Sequence, residues 1–290
     1  MRLVGFTRHG STGIEVADLA ADGASVTVIA PLEEFWADAP HLLCGNHSDG
    51  EAIGRDQITL VPPVLPDARV ICVGLNYLEH AAEGSYRSEP LPPYPSLFGR
   101  WPVTLTVDGA EVPVPGNEDG LDWEGEVVAW VGQRLVDATP EEALAAVLGY
   151  SVFNDITARR AQKLTSQWTL GKNADRSGPI GPIVPTAEVG DLRDGLHITT
   201  RVNGQIVQDA STDELVYTVG DTLAHISHTF TLRPGDLLAT GTPSGVGYAR
   251  TPPWLLQPGD TVEVSVERLG TLRNTIVNNE QRRARNTIHR

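Results

Sequence analysis

Apolar residues along this chain come mostly in short runs, cut by Gly, Pro, Asp and Asn, and few of them keep a helical period for long. Such runs predict strands joined by tight turns. LVGF and SVTVIA read as short strands near the N-terminus, and residues 69–73 (RVICV) as a buried strand that residues 74–77 turn out of. Residues 127–131 (VVAWV), ended by Gly132, read as a strand buried on both faces. A further strand is predicted at His197-Ile198-Thr199-Thr200, followed by a hairpin turn with Asn203-Gly204 at its centre. RPGD (233–236) and QPGD (257–260) each turn the chain into a strand, LLATG and TVEVSV. Helices are fewer. LEHAAE is helix-prone, and Thr139-Pro140-Glu141-Glu142 is a capping box with Pro at the first helical position, predicting a helix through Leu148 to Gly149. Asp221 is the expected cap of a helix through LAHISHTF.

The pattern divides the chain. Residues 1–66 are expected to form a small N-terminal β-containing domain that includes the weakly patterned stretch HLLCGNHSDGEAIGRD, and the Pro-rich LVPPVLPDA is its linker. Residues 67–280 are the expected large domain, and residues 281–290 a basic, frayed tail. With 29 Gly and 21 Pro scattered through 290 residues, a mixed α/β, β-rich fold is expected.

A formal charge of −15 argues against a nucleic-acid partner, because binding phosphates needs Lys and Arg. No run of about 18 apolar residues and no signal core stand in the sequence, so a cytoplasmic protein without membrane contact is expected. Of the two cysteines, Cys72 lies in an apolar run and Cys44 has no ligand spacing with it.

The chemistry gathers in residues 121–172. Glu124 and Glu126 share one face of the acidic strand, and Asp122 has their parity. Two carboxylates side by side repel unless a cation lies between them. Asp155, in FNDITAR, offers a third hard oxygen ligand, a set that suits Mg²⁺, Mn²⁺ or Ca²⁺ better than zinc. Elsewhere, His80 and Glu83 are neighbours on one helical face, the arrangement of a base oriented by a carboxylate. The segment after Glu83 reads as a lid or an ordinary loop. Lys172 is one of only two lysines, with Lys163, and can donate a proton or hold a developing anion. His9, His41, His47, His225 and His228 read as surface or structural residues. Residues 240–247 (TGTPSGVG) lack the Lys-Ser/Thr ending of a P-loop, but offer backbone N–H groups and the Thr242 hydroxyl to a small anion such as a carboxylate.

Taken in order, PPVLPDARVICVGLNYLEHAAE, LDWEGEVVAWVG, GYSVFNDITAR, WTLGKN, VNGQIVQDAST, TLRPGDLLATGTPSGVG and LQPGDTVEVSVERLGTLRN resemble the blocks of the fumarylacetoacetate hydrolase family. The resemblance implies a coiled β-sheet (β-roll) catalytic domain, a small N-terminal domain and a homodimer. It places the metal ligands on Glu124, Glu126 and Asp155, the catalytic groups on His80, Glu83 and Lys172, and substrate contacts on Gln162, Arg159 and Thr242. Two departures add guanidinium groups: Phe98-Gly99-Arg100 where the family often has Phe-x-Lys, and Ala158-Arg159-Arg160 where it often has Ala-Arg-Asp. The implied function is divalent-metal-dependent hydrolysis of a C–C bond in a 1,3-diketone or acylpyruvate-type (2,4-dioxo) acid, through an enolate that the ion stabilises. In that reading His80 would activate the attacking water. The alternatives are decarboxylation, tautomerisation or hydration of an oxaloacetate-type 2-oxo acid on the same site, and a non-catalytic metal- or ligand-binding protein.

Overall fold

Strands carry most of the fold. Residues 1–44, 50–83 and 91–279 are described by the structure, a computed structural model of the chain. His47, most of the expected lid (residues 84–90) and the basic tail lie outside the described residues.

The N-terminal sheet is antiparallel, in the order Ala52–Gly54, Ser25–Pro31, Glu15–Leu19, Leu3–Arg8, Ile58–Val61. Glu15–Leu19 was not among the expected strands. The weakly patterned stretch holds more order than its sequence suggests: the helix Ala39–Cys44 and the strand Ala52–Gly54 fall within it or at its edge. The preceding helix Leu32–Ala37 was also missed, being too short to show a period. It is held instead by burial of Leu32, Phe35 and Trp36. One face of the sheet encloses Val4, Phe6, Ala17 and Val26, while Leu3, Val16 and Ala30 on the other face join a core with Val128, Trp130 and Phe153. Trp36 stacks on Trp130 at 5.6 Å between ring centroids.

A mixed six-stranded sheet follows, in the order Val184–Pro185, Val147–Asn154, Gly125–Val131, Leu237–Ala239, Val70–Val73, Leu97–Arg100. Its second face packs against a five-stranded sheet of Gln205–Ser211, His197–Val202, Thr261–Val266, Gly270–Asn278 and Glu111–Val114. Val127, Ala129 and Val131 point into that core with Ile198, Val264 and Leu272, whereas Val128 and Trp130 point to the N-terminal layer. The acidic strand is therefore buried on both faces, as its composition predicts.

Local chemistry explains the turns. In both RPGD and QPGD the Asp carboxylate accepts the N–H of the first residue, from Arg233 at 2.8 Å and Gln257 at 2.7 Å, with the Gly at positive φ. Asn203 and Gly204 sit at φ 50° and 82°, the conformation of a two-residue hairpin. Two expectations change. The helix capped by Thr139 ends at Ala145, because Val147 already pairs with Val131 and the ladder takes over the chain. The cap of Val219–Ser227 is Thr218, which accepts the Asp221 N–H at 3.1 Å, so Asp221 stands inside the first turn. No helix among the described residues is long and apolar enough to cross a membrane.

Candidate active site

Antiparallel pairing creates the acidic cluster. Gly125 faces Asn154 across the ladder, and beyond it the Asp155 N–H donates to the Glu124 carbonyl at 2.9 Å. One ligand atom each of Glu124, Glu126 and Asp155 then lies within 4.8 Å of the others, and all three residues are buried.

Three cations come in around them. Lys172, ending the short helix Thr169–Lys172, donates to Glu124 Oε2 and Asp155 Oδ2, each at 2.5 Å. Gly171 lets that helix lie on its neighbour, since a Cβ there would meet the Gln162 backbone at 2.6 Å. Arg159 donates from Nε to Asp122 Oδ2 at 2.7 Å, pairs with Glu124 Oε1 at 2.8 Å and donates to Gln162 Oε1 at 3.1 Å. Arg100 donates to Asp155 and, at 2.5 Å, to Ser177.

Electrostatics separate the two glutamates. Burial pushes the Glu124 carboxyl up, but Lys172 and Arg159 outweigh it and hold it down to about 2. Glu126 has no cation partner among the described residues and accepts one backbone bond, from Gly241 at 3.0 Å. Burial, then Asp155 and Glu124, push its carboxyl well above the ordinary range. Lys172 is raised, because Asp155 and Glu124 outweigh the burial that lowers it, and so stays an ammonium. Three buried hard-oxygen donors with one carboxylate short of positive charge fit a divalent cation. The carboxylate oxygens shared with Lys172, Arg159 and Arg100 keep lone pairs for it.

The Gly-rich loop at 240–247 does receive carboxylates, and they are the chain's own. Gly241 N–H holds Glu126, Gly247 and Tyr248 N–H hold Asp122 at 2.7 and 3.1 Å, and Gly245 N–H holds Glu83 at 2.8 Å. Glu83 in turn bonds His80 Nδ1 at 2.9 Å, so of the two ring nitrogens Nε2 is the one that could exchange a proton with a bound molecule. Thr242, the expected substrate contact, is tied into the fold. Its buried hydroxyl donates to the Gly125 carbonyl at 2.9 Å and accepts from Gln208 at 2.8 Å, so it fixes the loop to the acidic strand. His80, Glu83, Glu124, Lys172, Gln162 and Arg159 meet at one cavity of about 290 Å³, with Trp168 and Tyr248 on its wall. A second cavity, about 240 Å³, lies between the N-terminal sheet and Leu269–Thr271; it is mostly apolar, and its Arg2 and Asp108 bond backbone groups.

Residues 69–277 match the family model described as fumarylacetoacetate (FAA) hydrolase C-terminal. The chain belongs to the fumarylacetoacetate hydrolase family. Its relatives include the oxaloacetate tautomerase YisK of Bacillus subtilis, 34% identical over 263 residues and covering 88% of this chain and 86% of that one. The human mitochondrial oxaloacetate tautomerase FAHD2A is 35% identical, covering 77% and 71%. Among solved structures, fumarylpyruvate hydrolase from Pseudomonas aeruginosa, in complex with Mn²⁺ and pyruvate, aligns at a TM-score of 0.66 with 33% identity over 76% of this chain and 92% of that chain.

Within this family member, sequence reasoning missed three supports. Asp122 accepts four bonds, from Trp123, Arg159, Gly247 and Tyr248, and its parity with the glutamates was the signal. Arg100 stood out as a departure, but nothing in the sequence placed it on Asp155. Gln208 bonds Gly125, Thr200, Thr242 and Pro243 from a distant strand, and no local pattern marks it.

Proposed function

We propose that this protein is a divalent-cation-dependent enzyme that interconverts keto and enol forms of a small 2-oxo acid, of which oxaloacetate is the first candidate. The carrying observation is the chain of contacts from Gly245 through Glu83 to His80, which orients an imidazole in the cavity that Glu124 of the acidic cluster also lines. The names of the B. subtilis and human relatives support the choice of oxaloacetate.

Glu124, Glu126 and Asp155 would hold a Mg²⁺ or Mn²⁺ ion, which when bound supplies Lewis acidity to the oxygens of a 2-oxo acid. The chain's own groups do the rest. His80 moves a proton at Nε2 to or from the carbon beside the carbonyl, with Glu83 fixing the ring. Lys172, kept charged by its two carboxylates, places a positive charge where the substrate oxygen becomes negative. Gln162 and Arg159 line the same cavity and orient the acid group. Walls formed by Trp168 and Tyr248 limit the water around these charges.

Hydrolysis of an acylpyruvate is the second reading. It is favoured by the same dyad, which can direct a water molecule, and by the likeness to fumarylpyruvate hydrolase. The test is to incubate the purified protein with Mg²⁺ and either enol-oxaloacetate or an acylpyruvate, following the enol absorbance and the products. Loss of enol faster than the uncatalysed rate, without pyruvate, supports the tautomerase. Pyruvate plus a free acid from the acylpyruvate moves the assignment to hydrolase, and no acceleration of either overturns both.

A further inference from the structure

Two of the cations lining the site cavity are already matched. Arg159 is paired with Asp122 and Glu124, and Lys172 with Glu124 and Asp155. Lys163 is not. It is exposed at the cavity wall, has no carboxylate partner among the described residues, and holds its Nζ 3.3 Å from the centroid of the Tyr248 ring.

Both ends of this contact are anchored. The Lys163 N–H closes the helix Arg159–Gln162 by bonding the Arg160 and Ala161 carbonyls, so its backbone is fixed beside Gln162. Tyr248 is fixed by its N–H to Asp122, the residue that also holds Arg159. A cation–π contact at an exposed site is weak, so it stations the ammonium without committing its hydrogen-bond donors. An anion arriving here meets Glu83 and Glu124 inside the cavity and a net charge of −15 on the chain. A second negative charge on a substrate needs a cation that is not already neutralised, and Lys163 supplies it.

We propose that Lys163, resting on the Tyr248 ring, receives the second carboxylate of a substrate whose 2-oxo acid end lies deeper in the cavity. It thereby selects dianionic over monoanionic 2-oxo acids. This rests on the reading of the cavity as a 2-oxo acid site. Lys163 is a specificity residue on this account and takes no part in proton transfer.

The test compares oxaloacetate with 2-oxobutyrate, which differ in ending the carbon chain with a carboxylate or a methyl group. Binding of each to the Mg²⁺-loaded protein is read by quenching of tryptophan fluorescence, since Trp168 lines the cavity. The wild type is expected to prefer the diacid by about fivefold or more, the upper end for a partly exposed ion pair. Lys163→Arg and Tyr248→Phe, which keep the charge and the ring, should retain that preference. Lys163→Met should bring the two affinities to within about twofold. A preference that survives in Lys163→Met, an equal loss for both acids, or no preference in the wild type overturns the proposal while leaving the 2-oxo acid reading in place. If the wild type binds neither acid, the reading of the site falls and the proposal falls with it.

Discussion

Lys172 donates to Glu124 at 2.5 Å, while Glu126, on the same face of the strand, makes no ion pair among the described residues and feels Lys172 only from a distance. The two glutamates thus have opposite energetics in the metal-free protein, although both belong to the candidate ligand set. Substituting Glu124→Gln strands Lys172 and Arg159 against fewer negative charges and should cost about 3 kcal/mol or more. Glu126→Gln removes a buried carboxylate that Lys172 and the Gly241 N–H compensate only in part, and should raise metal-free stability by roughly 1 kcal/mol. Chemical denaturation in chelator checks both, and equal destabilisation by the two variants would remove the distinction.

Loading with Mg²⁺ or Mn²⁺ should stabilise the wild type, by about 2.7 kcal/mol when the free ion stands at 100 times its dissociation constant. Asp155→Asn should show little of that gain, because it takes the negative charge from one of the three candidate ligands. A melting temperature that rises equally in wild type and variant would mean that the ion binds elsewhere.

His80→Ala should lower turnover by roughly 10²-fold or more, the usual size of a general acid–base effect, with the ion affinity kept. Glu83→Gln should fall between wild type and His80→Ala, since it loosens the ring without removing it. A rate unchanged in His80→Ala would take the imidazole out of the reaction.

Gly245 should be sensitive although it lies outside the chemistry. It sits at φ +102°, and a Cβ there would meet the Val207 carbonyl oxygen at 2.2 Å. Gly245→Ala must therefore move the N–H that holds Glu83, and turnover should fall at least tenfold for a stability cost of roughly 1–3 kcal/mol. Activity close to wild type in a folded Gly245→Ala protein would show that the backbone contact does not set the dyad.

Much of the site could be read from short-range patterns. The parity of Glu124 and Glu126 is a property of any strand, and the three-residue spacing of His80 and Glu83 is a property of any helix, so both contacts were visible before folding. Lys172, Arg159 and Gln162 reached the candidate set only through the family resemblance or as lone cations, because their partners lie on other elements. Arg100 meets Asp155 across 55 residues and Gln208 meets Thr242 across 34, distances over which local periodicity carries no information. Thr242 shows the limit from the other side. Its residue type suits a ligand contact, but folding uses both its donor and an acceptor position. In the N-terminal unit, the helix Leu32–Ala37 is too short to display amphipathic spacing, and its order comes from packing on Trp130 and its neighbours.

That packing bears on how the protein can be divided. The face of the acidic strand that carries Glu126 also carries Val128 and Trp130, and Trp36 and Phe35 of the N-terminal unit cover it. The family match begins at residue 69, after that cover has been laid down. A fragment cut at the edge of the match would keep every candidate ligand and yet bare an indole and a valine behind them. In this protein the catalytic segment is not a transplantable cassette: its N-terminal layer is the back plate of the site, and a graft onto another protein would have to bring that layer along.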